Sequence, residues 1–122
     1  MLTCLIVGLG GFLGAILRLL SFEFIHKILP PSYFFLATLF VNVLGSFLMG
    51  ILFFYAQNKG ISASVKNFIG VGFLGAFTTF SAFSYENLLF LQNHSYIHLI
   101  FNVFLNVGLC LFAIWLGSLV FK

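Results

Sequence analysis

The sequence predicts an all-α integral membrane protein with four transmembrane helices, and three observations predict it. Of 122 residues, 62% are hydrophobic and only 6% are charged. Mean hydropathy is +1.22, and so few polar groups would not cover the surface of a soluble domain. The apolar residues gather into four stretches, each long enough to cross about 30 Å of hydrocarbon, which takes roughly 20 helical residues. The formal charge of +3 comes from five basic residues spread along the chain. That dispersion excludes a nucleic-acid-binding surface.

The first stretch, about residues 2–20, opens with "MLTCLIVGLGGFLGAIL" and ends near Arg18. It has neither a basic leader nor a small-residue cleavage site, so it reads as a span that is kept. The second, about 34–55, is entered through Pro30-Pro31, a pair suited to a helix start. The third covers about 65–89 and the fourth about 97–121. The connectors "SFEFIHKILPPS", "AQNKGISAS" and "QNHS" are short and hold most of the remaining polarity. The whole chain, 1–122, therefore reads as one four-span domain.

Loop charge is nearly balanced across the membrane. Lys59, Lys66 and Lys122 fall on one side, Arg18 and Lys27 on the other. Orientation follows the Lys/Arg bias, so near-equality either leaves the topology weakly specified or marks a chain that inserts both ways and pairs antiparallel with a second copy. Cys4 lies near one membrane surface and Cys110 near mid-span. At ~1.5 Å per helical residue they are roughly 15 Å apart in depth, beyond the ~6 Å a disulfide allows.

Polar groups inside a span are costly and need a partner, a cavity or a task. Thr38, Asn42, Gly45 and Ser46 share one face of the second span; Asn102, Asn106, Cys110, Ala113 and Gly117 share one face of the fourth. Interhelical hydrogen bonding would explain either stripe alone, at about 1 kcal/mol or less per contact. Two stripes together suggest the lining of a wet path. Arg18 either snorkels to the interface or draws an anion to a vestibule. Glu86 either pairs with a cation or caps polar groups. Catalysis has no support: there is no nucleophile–base set, no paired intramembrane carboxylates, no metal-ligand spacing and no phosphate loop.

The third span holds the richest segment, "GFLGAFTTFSAFSYE" at 72–86. Gly72, Gly75 and the β-branched pair Thr78-Thr79 weaken it as a helix. A break near Gly75–Thr79 would free carbonyls for a cation. Phe80 and Phe83 present rings whose edges are positive, beside the hydroxyls of Thr79 and Ser81. Small hard anions suit such a setting.

These residues, with "GGFLGAILR" and "TLFVNVLGSF", resemble the Fluc (CrcB) family of fluoride ion channels over nearly the whole chain. The resemblance implies an antiparallel dual-topology dimer in the plasma membrane of a prokaryote, the third helix broken near its centre. It implies two fluoride pathways, and a structural Na⁺ held by the Gly75 and Thr78 carbonyls of both subunits. Phe80 and Phe83 would supply ring edges and Asn42 an amide donor, with Ser81, Thr79 and Thr38 as hydroxyl contacts. Arg18 and Glu86 match the family's first-span arginine and third-span carboxylate. Cys110 stands where a fourth-span serine is usual, and Asn106 is a candidate substitute contact. The partner is an identical chain or a sister homologue.

Two other readings compete. A proton-coupled small multidrug exporter shares size and layout but needs a first-span carboxylate, and the nearest acid is Glu23, beyond Arg18. A non-transporting assembly subunit would use the polar stripes only as glue between helices.

Overall fold

The computed structural model describes residues 1–122, and every regular element in it is helical. Helix α1 spans Leu2–Ile28. It continues through 21–28, which the sequence placed in a connector, because nothing in "SFEFIHKI" breaks a helix. The stop comes at Leu29, whose backbone is extended (φ −111°, ψ 149°), as the residue before a proline prefers. A 3₁₀ turn, Pro31–Tyr33, leads into α2, Phe35–Lys59. That helix ends at Gly60 with φ 78°, a conformation a side chain would resist.

The third segment is composite. Helix α3 (Ala63–Lys66) is capped by Ser62 Oγ, which accepts the Val65 N–H at 3.2 Å. A π-helical stretch, Asn67–Leu74, follows, and then α4, Gly75–Phe77. Thr78 and Thr79 leave helical geometry, with ψ of 158° and 118°. Helix α5, Phe80–Gln92, starts from Thr79 and α6 spans Tyr96–Leu119. Taking 63–92 together, four helical segments are long and apolar enough to cross a membrane. The protein is a multi-pass membrane protein.

Two close pairings organise the bundle: α1 lies along the π-helical stretch, and α2 along α6. In lipid the hydrophobic effect does not drive helices together, so close backbone approach must. Glycines permit it. A Cβ on Gly10 would overlap the Phe68 carbonyl, and one on Gly72 the Val7 carbonyl. Gly50 and Gly117 do the same for α2 and α6, meeting Ile114 and Phe47 carbonyls. Large apolar side chains on the outside, among them Leu5, Phe12, Phe104 and Trp115, are exposed, as a lipid-facing surface requires.

Candidate functional site: an amide-lined groove

The two polar stripes face each other across α2 and α6, and the Thr78–Thr79 interruption meets them from the side. Between these elements lies an open groove of about 410 Å³. Of the residues singled out in the sequence, Asn42, Thr78, Thr79, Phe80, Phe83 and Asn106 all line it. Gly45, Ser46, Met49 and Cys110 complete its polar and soft side. Gly45 lets Thr78 in, since a Cβ there would collide with the Thr78 methyl.

Asn42 fixes the local backbone. Its Oδ1 accepts the Thr79 N–H at 2.8 Å, and its Nδ2 donates to the Thr79 carbonyl at 3.1 Å. Two groups freed from the helix are thereby paired, as buried backbone groups must be. The Thr79 N–H is also the i+4 donor that would otherwise serve the Gly75 carbonyl. No backbone N–H donates to the Thr78 carbonyl either. Gly75 itself is helical and exposed, outside the groove, and a Cβ there would make only ordinary contact within the chain.

A side-chain amide has no fixed polarity until its partners are known, and here one backbone N–H sets four of them. The Thr79 N–H only donates, so the Asn42 atom it meets is Oδ1. Asn42 Nδ2 then faces Asn106, whose atom at 3.0 Å is therefore Oδ1. Asn106 Nδ2 donates to the Asn102 carbonyl at 3.0 Å and to Asn102 Oδ1 at 2.9 Å. Asn102 Nδ2 in turn donates to Asn87 Oδ1 at 3.0 Å. Asn87 carried no role in the sequence reading, and Asn102 was only part of a stripe. Neither spacing nor composition reveals which asparagines meet across helices.

Glu86 is not at a surface. It is 6% exposed, accepts the Thr38 hydroxyl at Oε2, and has no partner at Oε1. Thr38, fully buried, is thus engaged one turn away from the groove. Asn102 also lies against the Glu86 carboxylate.

The aromatic pair is asymmetric. Phe83 is buried at 8% exposure and Phe80 stands out at 77%, with ring centroids 5.4 Å apart and planes at 48°. Arg18, half-buried, sits elsewhere, in a depression of about 380 Å³ shared with Ser81, Thr79 and Phe22. Thr79 belongs to both cavities. Its hydroxyl accepts the Ala82 N–H at 3.2 Å and lies 3.2 Å from Ser81 Oγ. The start of α5, the positive end of its dipole, therefore lies between the two. Cys110 is a free, half-buried thiol in the groove beside Ser46, and Cys4 is free and exposed.

Residues 5–118 match the family described as CrcB-like protein, Camphor Resistance (CrcB). The chain is 63% identical over 120 residues to a Campylobacter jejuni protein named fluoride-specific ion channel FluC, covering 98% of each. Proteins of the same name from Campylobacter lari and Shewanella halifaxensis are 57% identical over 120 residues and 47% identical over 114.

Proposed function

The chain belongs to the CrcB family, and on that premise we propose that it is a fluoride-selective passive ion channel that lets cytoplasmic F⁻ leave the cell. It is a channel and not an enzyme. The observation that carries the fluoride reading is the groove itself, in which the Phe80 and Phe83 rings share one wall system with the amides of Asn42 and Asn106. Fluoride is small, hard and strongly hydrated. A site that admits it must replace that water with donors of comparable strength, and hydrogen bonds to a charged partner are worth about 1.5–3 kcal/mol each. Positive ring edges add attraction without a competing lone pair. Larger, softer chloride gains less from both.

The groove is open on one side, and Phe80 projects from it at 77% exposure. A second copy, antiparallel to the first, closes the path and covers Phe80. The exposed Gly75, whose lack of a side chain nothing in its own chain requires, then lies against the partner. Arg18 carries an unpaired positive charge at the adjoining depression and draws anions from bulk water. Dual insertion agrees with the near-equal loop charges.

The unpaired Thr78 carbonyl, and the Gly75 carbonyl deprived of its Thr79 donor, fit a hard monovalent cation such as Na⁺. Those two residues from each subunit would hold it. Bound there, it supplies the positive charge that satisfies oxygens left without N–H partners in the membrane. Asn42 does the complementary work within the chain, keeping Thr79 out of helical geometry so that those oxygens stay available.

No energy source is needed for export. HF crosses membranes uncharged and dissociates in a more neutral cytoplasm, where F⁻ is trapped; a passive path in the plasma membrane releases it. The test is fluoride efflux from liposomes reconstituted with the purified protein, read by a fluoride electrode. Flux of F⁻ without Cl⁻ is expected. Equal chloride flux removes the selectivity claim, and no flux of any ion leaves a non-transporting subunit.

A further inference from the structure

Every amide hydrogen that Asn42 and Asn106 offer is already committed within the chain. Asn42 Nδ2 has two, one on the Thr79 carbonyl at 3.1 Å and one on Asn106 Oδ1 at 3.0 Å. Asn106 Nδ2 has two, both on Asn102, at 3.0 and 2.9 Å. An anion entering the groove therefore finds no idle N–H on either residue and must displace a bond to gain one.

Only one of these bonds opens at low cost. The Asn42–Thr79 contact is half of a paired clamp, and breaking it strands a backbone carbonyl. The two Asn106–Asn102 bonds reinforce each other across one turn of α6. The Asn42–Asn106 contact is a single side-chain bond between α2 and α6, at the groove wall. An anion that takes it receives the Asn42 hydrogen and leaves only Asn106 Oδ1, an acceptor with no buried backbone group depending on it.

We propose that Asn106 is a positioning residue that holds the Asn42 amide hydrogen in reserve, its Oδ1 occupying the acceptor place that an arriving anion takes over. This rests on the channel reading and reverses the part Asn106 would otherwise play there: it competes with the anion instead of donating to it. Asn102 keeps Asn106 turned the right way, because it accepts both Asn106 hydrogens, and Asn87 keeps Asn102 turned, because it accepts from Asn102 Nδ2. The exchange is bond for bond, so the anion binds without leaving a buried N–H bare. When the anion departs, Asn106 reclaims the hydrogen. Conduction requires binding weak enough to release, and a built-in competitor supplies that limit.

The test compares wild-type protein with Asn106→Ala in liposomes, measuring initial fluoride efflux against NaF concentration. Removing the competitor lowers the half-saturating fluoride concentration by about fivefold, the worth of one net hydrogen bond, and lowers the maximal rate because release slows. A half-saturating concentration that rises or stays unchanged overturns the proposal. Wild-type protein that passes no fluoride overturns the channel reading instead, so the two failures are distinct. Should Asn106→Ala not fold, wild-type protein labelled with ¹⁵N-asparagine in detergent decides the matter. Adding NaF, but not NaCl, shifts the side-chain amide signals of Asn42 and Asn106 together; a fixed Asn106 signal overturns the proposal.

Discussion

Asn42 Oδ1 accepts the backbone N–H of Thr79 at 2.8 Å, and Asn42 Nδ2 returns a bond to the Thr79 carbonyl at 3.1 Å. One side chain on α2 thus imitates a paired strand for a residue 37 positions later. The extended backbone at Thr79 persists because this partner matches both of its polar groups.

Asn42→Ala is expected to cost about 1–3 kcal/mol, the penalty for buried backbone groups left without partners, and to abolish fluoride flux. Asn42→Asp should be no better despite its similar shape. It keeps an acceptor for the Thr79 N–H, but sets its second oxygen against the Thr79 carbonyl and Asn106 Oδ1, where hydrogens are needed. Thermal unfolding in detergent checks both variants, and an Asp variant as stable as wild type contradicts the clamp.

Phe80 and Phe83 separate function from folding. Phe80 is 77% exposed within its chain, Phe83 only 8%. Phe80→Ile should shift the stability of the folded subunit by roughly 0.5 kcal/mol or less while removing fluoride flux. Phe83→Ala should cost about 3 kcal/mol, as buried aromatic truncations do. Unfolding and efflux measured side by side settle it; full flux in Phe80→Ile would reduce the ring to packing.

What the sequence discloses here has a physical boundary. Periodicity and hydropathy are local, so four spans, the α2 stripe of Thr38, Asn42, Gly45 and Ser46, and the α6 stripe around Asn106 are legible. Contacts between helices are not. Nothing in "SYENLLF" says that Asn87 meets Asn102, or that Glu86 turns inward to Thr38 and leaves Arg18 with Ser81 in a separate depression. The run of α1 on to Ile28 was hidden for another reason: polar residues in 21–28 suggest a loop, whereas only Pro30 actually stops the helix.

Glycine positions give a second stability contrast. A Cβ on Gly10 or Gly14 would overlap the Phe68 or Phe73 carbonyl, whereas one on Gly8 would meet nothing within 4 Å. Gly10→Ala and Gly14→Ala should destabilise the subunit by about 1–3 kcal/mol through overpacking. Gly8→Ala should not, and gains up to about 1 kcal/mol of helix propensity. Melting temperatures of the three variants test this, and equal values refute the interlock of α1 with the π-helical stretch.

Sodium dependence follows from the unpaired Thr78 carbonyl. Replacing Na⁺ by a large organic cation throughout purification and assay should abolish flux and loosen the dimer, seen as an earlier-eluting dimer converting to a later-eluting monomer in size-exclusion chromatography. Return of Na⁺ should restore both. Unchanged dimer and flux in sodium-free buffer would remove the cation from the proposal.

Cys110 offers a direct probe of whether ions pass along the groove. Its thiol is free and half-buried there, beside Ser46 and within the same walls as Phe80 and Asn106. In a Cys4→Ser background, a small water-soluble thiol reagent that reaches Cys110 fills part of the groove and should stop fluoride efflux. Cys110→Ser should be immune to the reagent. It should also conduct at least as well as the parent, because a hydroxyl donates a stronger hydrogen bond than a thiol. Mass spectrometry establishes that the thiol was modified. If modified protein then conducts at the parent rate, the anion travels elsewhere, and the depression shared by Arg18, Ser81 and Thr79 becomes the path to test.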